Sequence, residues 1–379
     1  MNQYRTPVRT GMPVAQATAY EALYGPPPPS KGKKFAKRLG KLFALALVAA
    51  TLWFGFSLYQ SIAKITGDSN PLSLFGSLSK TELKTTDGRT NILLAGYSAD
   101  DPNHGGADLT DSIMVLSLDS KNDQAVMISI PRDLYVSIPG HGYSKINAAY
   151  EYGEWDKFRE AGYPPGGMGL LEKTISQNFG IGFNYYALIN YTAFRQTVDA
   201  VGGVTVTIKS TDPDGIYDPN ANLKLPNGAV QLNGQQALDL ARARGAGYGS
   251  YGLGRGDFDR TANQQLILRA LKDKISSTST ITNPLKVVEL ANALGDNVKT
   301  DLTLGEMQTL YSEGAGLKDS SITSLTLNNY NGENLLRSYR TRDGQSALVP
   351  AAGVDDYSRI RSVVQILFGD QTDPANGTN

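Results

Sequence analysis

Apolar and polar positions along the chain follow two rhythms. Three short apolar runs, Asn91–Tyr97 (NILLAGY), Asp111–Leu118 (DSIMVLSL) and Gln124–Ile130 (QAVMISI), are bounded by turn-forming residues and predict buried strands. Further strands are predicted at Tyr185–Asn190, Val204–Ile208 and Ile322–Leu327. Between and after them, apolar residues recur at three- and four-residue spacing over Gly169–Phe179, Tyr191–Val201, Thr261–Ile275, Pro284–Leu294 and Tyr357–Phe368, the period of amphipathic helices. Strands interleaved with helices predict an α/β fold, an α-β-α layered domain with a central mixed sheet. No internal repeat and no strong linker interrupts the pattern after Asn91, so one domain over 90–368 is expected, with 369–379 a polar tail.

The first ninety residues read differently. Residues 1–30 lack periodicity and end in Gly25 followed by four prolines, a composition that cannot bury enough apolar surface to fold. Lys31, Lys33, Lys34, Lys37, Arg38 and Lys41 then precede the uncharged apolar run Leu42–Tyr59, which is long enough to span a bilayer. Six cations on the N-terminal flank, with none beyond until Lys64, predict a cytoplasmic tail at 1–41 and a single transmembrane signal-anchor helix at 42–62. A cleaved signal peptide is the competing reading, but no small-residue cleavage site follows the apolar run. A Ser/Thr/Gly-rich linker at 63–89 would then carry the domain outside the cell membrane.

Composition narrows the chemistry. Lys and Arg number 36 against 36 Asp and Glu, so no general basic surface calls for nucleic acid. There is no cysteine, which removes thiol catalysis and thiolate metal sites, and two histidines cannot build a His-rich zinc centre. Any metal would be held mainly by oxygen, the preference of magnesium or calcium. Arginine is the more suggestive residue. Arg132 follows Pro131 at the end of a predicted strand, where α/β sheets commonly place ligands. Arg242 and Arg244, two residues apart, share one side of an extended segment. Asp257, Arg260 and Gln264 form a polar stripe at i, i+3 and i+7 on a predicted helix. If these groups and Lys145 converge, their planar forks suit a phosphate or diphosphate, and Asp100, Asp101, His104, Asp108 and Asp111 could ligate a bridging magnesium. Solvated ion pairs and an ordinary acidic loop fit the same spacings.

Seven ordered blocks carry a more specific signal: NILLAG (91–96), TDSIMV (110–115), SIPRDL (129–134), KINAAY (145–150), VGGVTV (201–206), LNGQQALDLARAR (232–244) and GDFDRTANQQ (256–265). In these the chain resembles the LytR-CpsA-Psr family of membrane-anchored cell-wall glycopolymer transferases. The resemblance implies a phosphotransferase that moves a glycopolymer from a polyprenyl-diphosphate carrier onto peptidoglycan, with the lipid in an apolar tunnel and Mg2+ at the diphosphate. It implies Arg132, Lys145, Arg242, Arg244, Arg260 and Gln264 as diphosphate contacts, Arg132, Arg242 and Arg244 as catalytic charges, Asp257 as the base and Asp111 as a metal ligand. The chain departs from the family pattern at Ser98, where an aspartate is usual, and at Leu109, where an arginine is usual. Asp100, Asp101 or His104 would have to supply the missing ligand. The rival readings are a non-catalytic scaffold that binds lipid-linked glycan or wall, and a polyprenyl-diphosphate hydrolase.

Overall fold

The computed structural model describes residues 81–98, 100, 108–277, 295 and 297–369. Strands β1 (Thr90–Tyr97), β2 (Thr110–Asp119) and β3 (Gln124–Ser129) form on the three apolar runs. A hairpin of β4 (Tyr135–Ile138) and β5 (Gly142–Lys145) leads to helices α1 (Ala148–Trp155) and α2 (Gly167–Phe179), then strand β6 (Tyr185–Ile189) and helix α3 (Tyr191–Ala200). Next come β7 (Val204–Ile208), β8 (Ile216–Asp218), β9 (Leu223–Leu225), β10 (Gly228–Leu232), α4 (Gly234–Arg242) and α5 (Asp257–Ser277). The chain continues through β11 (Val298–Thr300), α6 (Leu304–Gly316), β12 (Ile322–Thr326), the hairpins β13 (Asn329–Tyr330) with β14 (Glu333–Asn334) and β15 (Leu336–Arg340) with β16 (Ser346–Pro350), and α7 (Ser358–Phe368).

The central sheet runs β11-β6-β1-β2-β3-β12. It is mixed: β6 pairs with β1 and β3 with β12 in parallel, whereas the other neighbours are antiparallel. Its inner strands are nearly continuously apolar because both faces are covered. Leu93, Ala95 and Val115 point to the face packed by α1, α2 and α7, in a core with Leu171, Ile175, Ile360 and Val363. The intervening residues Ile92, Leu94 and Leu116 point to the opposite face, towards Leu302 and Met307. A further core joins β7 to β10 with α3, α4 and α5 around Val204, Val206, Leu232, Leu240 and Ile267. There β7 alternates buried and exposed positions, as a strand with one wet face must.

Several elements differ from expectation. The Arg242 segment is helical through Arg242, not extended: Asn233 and Gln236 close a reciprocal capping box that starts α4, and only Ala243 returns to β geometry. Helix α5 begins at Asp257 rather than near Thr261, with Asp257 and Asp259 in the first turn, where the helix dipole favours acids. Residues 81–89, read from sequence as linker, pack on the domain. Leu83 is buried against Ile92 and Tyr185, and the Arg89 side chain donates to Ser117 Oγ at 2.7 Å. The tail at 1–41, the span at 42–62, most of the linker, the helix expected at Pro284–Leu294 and the tail beyond Gly369 lie outside the described residues. Among the described residues no helix is long and apolar enough to cross a membrane.

Candidate active site

A cavity of about 450 Å³ opens on the second face of the sheet. Its floor is made by alternate residues of three neighbouring strands: Leu94 and Gly96, Ser112 and Met114, Ala187 and Ile189. Phe194 of α3, Leu238 and Ala241 of α4 and Leu268 of α5 add apolar walls. Polar groups are concentrated where Asp111, Arg132, Arg242, Arg244, Arg260 and Gln264 join the lining. An apolar chamber carrying a few convergent charges is the usual form of a site for a ligand with one greasy and one ionic part.

The sheet itself aims Asp111 into this place. Gly96 pairs with Ser112 but the next residue, Tyr97, pairs with Thr110, so Asp111 is the extra residue of a β-bulge. Its carboxylate accepts from Arg132 Nη1 on one oxygen and from Ser98 Oγ, at 3.0 Å, on the other. Burial pushes the Asp111 carboxyl up, but the Arg132 charge, Arg260 and the Ser98 hydroxyl outweigh it and hold the group below the usual carboxylate range. Burial also works against the charge on Arg132, and Asp111 beside it more than compensates.

Arg260, in the first turns of α5, is 4% exposed. Its Nη2 lies 2.7 Å from Asp257 Oδ1, and Arg244 Nε approaches the same oxygen at 3.7 Å. Burial pushes the Arg260 guanidinium down to about 10, with Asp257 opposing the shift, so it remains a cation at neutral pH. Arg242 lies over the Tyr191 ring at 5.0 Å, a cation–π contact that fixes its head. Gln264 accepts from Ser112 Oγ at 2.8 Å and donates to the Ala241 carbonyl at 3.2 Å, tying α5 to the floor and to α4. Among the described residues, Arg132 Nε and Arg260 Nε are buried and make no hydrogen bond, although Asp133 Oδ2 stands 3.8 Å from the first. Buried polar groups are rarely left without a hydrogen bond, and two such guanidinium donors at one cavity suit an anionic guest.

Asp218 positions the Arg244 loop. Its Oδ2 accepts from the backbone N–H of Arg244 at 2.7 Å, Gly245 at 2.9 Å and Ala246 at 3.3 Å, while Oδ1 accepts from Asn220 and Ala221. Burial pushes this carboxyl up, and the amides pull it below the ordinary range. Gly245 has φ +70°, and a Cβ there would lie 2.2 Å from the Leu253 carbonyl oxygen, so no other residue turns the chain at this point.

The structure thus gathers Arg132, Arg242, Arg244, Arg260, Gln264 and Asp111 at one cavity. It does not bring Lys145 there: that ammonium pairs with Asp133 at 2.8 Å and faces an adjoining cleft. Asp257 is not part of the cavity lining and stands behind Arg244 and Arg260, its two oxygens buried without a hydrogen-bond donor of good geometry despite the close ion pair. Asp100 turns away to the start of α3, where its carboxylate accepts from the backbone N–H of Tyr191 and Thr192 and from the Thr192 hydroxyl. Asp101 and His104 lie outside the described residues. Sequence reasoning missed Tyr191 and Asp218. The Asp218-Pro219-Asn220 turn was a legible signal for the second, since Asp before such a turn commonly collects backbone amides.

The LytR_cpsA_psr family model matches residues 54–348, more than half of the chain and well beyond the seven motif blocks. The chain belongs to this family. Among its relatives, the polyisoprenyl-teichoic acid–peptidoglycan teichoic acid transferase TagU of Oceanobacillus iheyensis is 35% identical over 233 residues. That alignment covers 62% of this chain and 65% of TagU, so just under two thirds of the relative's length is spanned. TagV of Bacillus subtilis, a transferase of the same name, is 30% identical over 302 residues, 78% of this chain and 71% of TagV. The solved structure of TagT bound to LI-WTA superposes with a TM-score of 0.56 at 26% identity, covering 76% of this chain and 93% of that one. The LytR_cpsA_psr member described here shares with it the mixed α/β fold built on a central mixed sheet.

Proposed function

We propose that this chain is a phosphotransferase that moves a glycopolymer from a polyprenyl-diphosphate carrier onto a hydroxyl of peptidoglycan. The observation that carries the reading is the joining of an apolar chamber of about 450 Å³ to a cluster of four arginines. The prenyl chain fills the chamber, and the diphosphate meets Arg132, Arg242, Arg244 and Arg260. The transferase names of TagU and TagV, and the ligand in the TagT structure, support the same substrate class.

Phosphoryl transfer passes through a loose transition state in which charge gathers on the leaving group, so catalysis is mostly positioning and electrostatic stabilisation. Arg132 and Arg260, each with a buried Nε that makes no hydrogen bond, meet that charge. Arg242, held by Tyr191, and Arg244, held by the Asp218 loop, are oriented before the donor arrives. Asp257 we read as a positioning residue, because it is ion-paired with Arg260 at 2.7 Å, lies 3.7 Å from Arg244 and is not part of the cavity lining. The acceptor hydroxyl needs little help from a base if its proton leaves late.

Magnesium fits this arrangement with Asp111 as its protein ligand. Among the described residues no group of three or more acidic or histidine side chains forms a metal cluster, but magnesium keeps several waters and is commonly held by one carboxylate plus substrate phosphates. When bound there it would neutralise charge on the diphosphate. Asp100 is not proposed as a ligand, because it is not part of the cavity lining and its carboxylate is turned to the start of α3. We further propose that 42–62 anchors the chain in the cell membrane with 1–41 inside and the domain outside, on the strength of the Lys31–Lys41 cluster. Protease added to wall-stripped cells should then remove the domain and spare the tail; digestion of the tail refutes the anchor. For the donor site, a fluorescent polyprenyl diphosphate should bind the full chain in detergent, with inorganic diphosphate competing. Equal binding of a polyprenyl alcohol would place no role on the arginines and overturn the site.

A further inference from the structure

A second cleft, of about 750 Å³, adjoins the donor cavity, and Arg132 lines both. Most of its other walls come from the β4–β5 hairpin and from the turn that joins β15 to β16. The hairpin contributes Tyr135, Tyr143 and Lys145, and the turn contributes Arg342 and Asp343. The tyrosines form a supported stack: Tyr135 lies on Tyr143 with centroids 5.8 Å apart and planes 25° apart, and meets Tyr339 at 5.7 Å. Tyr143 is 46% exposed, and its ring is supported from one side by the stack on Tyr135. A supported ring left open to solvent is a face offered to something flat.

We propose that this cleft is the acceptor subsite and holds a saccharide unit of the peptidoglycan strand against the open face of Tyr143. The inference rests on the transfer reading above. Two observations support it. The shared Arg132 puts the phosphorus of a donor bound in the first cavity beside whatever occupies the second. The cleft also carries both signs, with Lys145 matched to Asp133 at 2.8 Å, so it suits a hydroxyl-rich, weakly charged ligand better than a polyanion. In the transfer, the sugar hydroxyl oxygen forms a bond to the phosphorus that bears the glycopolymer, and its proton passes to water. The bond from that phosphorus to the bridging oxygen breaks, and polyprenyl phosphate leaves with the electron pair.

The test uses a soluble peptidoglycan oligosaccharide and the full chain with Tyr143→Ala and Tyr143→Phe. Loss of one aromatic face should raise the acceptor KM roughly threefold to tenfold. Donor KM should stay constant, and Tyr143→Phe, which keeps the ring, should stay near the parent. A rise in donor KM with unchanged acceptor KM would assign the cleft to the donor glycan and overturn the proposal, as would no change in either. Direct binding of the oligosaccharide separates this inference from the one it rests on. Binding by the parent that Tyr143→Ala weakens supports the subsite even if turnover proves absent, and turnover without any such binding contribution refutes it.

Discussion

Replacing Arg132 by Ala perturbs two things that the structure lets one separate. The first is the donor. A charge-assisted contact to phosphate contributes on the order of 1.5–3 kcal/mol, so transfer should fall about tenfold to a hundredfold. The second is Asp111, whose side chain is only 10% exposed and which loses its ion pair while keeping the Ser98 hydroxyl. A buried acceptor left without its main partner costs about 1–3 kcal/mol of stability. The two effects differ in pH dependence. The Asp111 carboxyl lies below its ordinary range when folded, so its contribution to stability is complete above the unfolded value of about 3.9 and is lost as pH falls through the folded value. Without Arg132 the folded pKa moves up, so the stability deficit of the variant should be full at neutral pH and shrink on acidification. Arg132→Lys should recover most of the stability, since the ion pair persists, but only part of the transfer, because an ammonium lacks the fork. Urea unfolding between pH 3 and 7 and transfer of a labelled glycopolymer from a polyprenyl-diphosphate donor read the two effects independently. Full transfer by Arg132→Ala, or full recovery by Arg132→Lys, would refute a bidentate role at the diphosphate.

Three further outcomes follow from neighbouring groups. Asp257→Asn should lower kcat while leaving the shape of its pH profile unchanged, because the residue orients Arg244 and Arg260; loss of the acidic limb would instead identify it as the base. Ser98→Asp sets a second carboxylate against Asp111 in a fully buried place, so it should lower Tm without metal and make Tm rise with magnesium, whereas an equal Tm with magnesium and with chelator refutes Asp111 as a ligand site. Glu172, buried in α2, is pushed up to about 9 by desolvation, with Asp301 adding to the shift. Its folded pKa exceeds the unfolded value, so stability falls as pH rises between the two, and Glu172→Gln should add on the order of 1–3 kcal/mol at pH 7 and flatten that fall in urea titrations from pH 5 to 9.

The parts of the fold legible in the sequence were those with long, uninterrupted signals. The strands β1, β2 and β3 are nearly continuous apolar runs because the sheet is covered on both faces, and α2, α3 and α7 carry clear helical spacing. Helix α4 was obscured because LNGQQALDLARAR reads equally as a polar turn, although the Asn233 and Gln236 capping pair marks its start. The four-residue strands of the β4–β5 hairpin are too short for periodicity to register. Arg132, Arg242, Arg244, Arg260 and Gln264 were named from sequence, yet their meeting is a tertiary fact. It depends on the bulge that turns Asp111 inward and on Asp218, which gathers the Arg244 loop from 26 residues away. Asp257 illustrates the opposite case, a residue whose spacing suggested a face on the site and whose neighbours hold it behind the arginines.

The most direct measurement follows phosphorus through one turnover. The full chain in detergent is given a polyprenyl-diphosphate-linked glycopolymer and peptidoglycan, and the products are resolved by phosphorus NMR. Transfer yields polyprenyl monophosphate and, in equal amount, a phosphodiester that sediments with the peptidoglycan, and both vanish together in Arg132→Ala. Release of polyprenyl monophosphate with free glycan 1-phosphate and no wall-bound phosphodiester would contradict the account and make the protein a hydrolase; an unchanged donor would make it a scaffold.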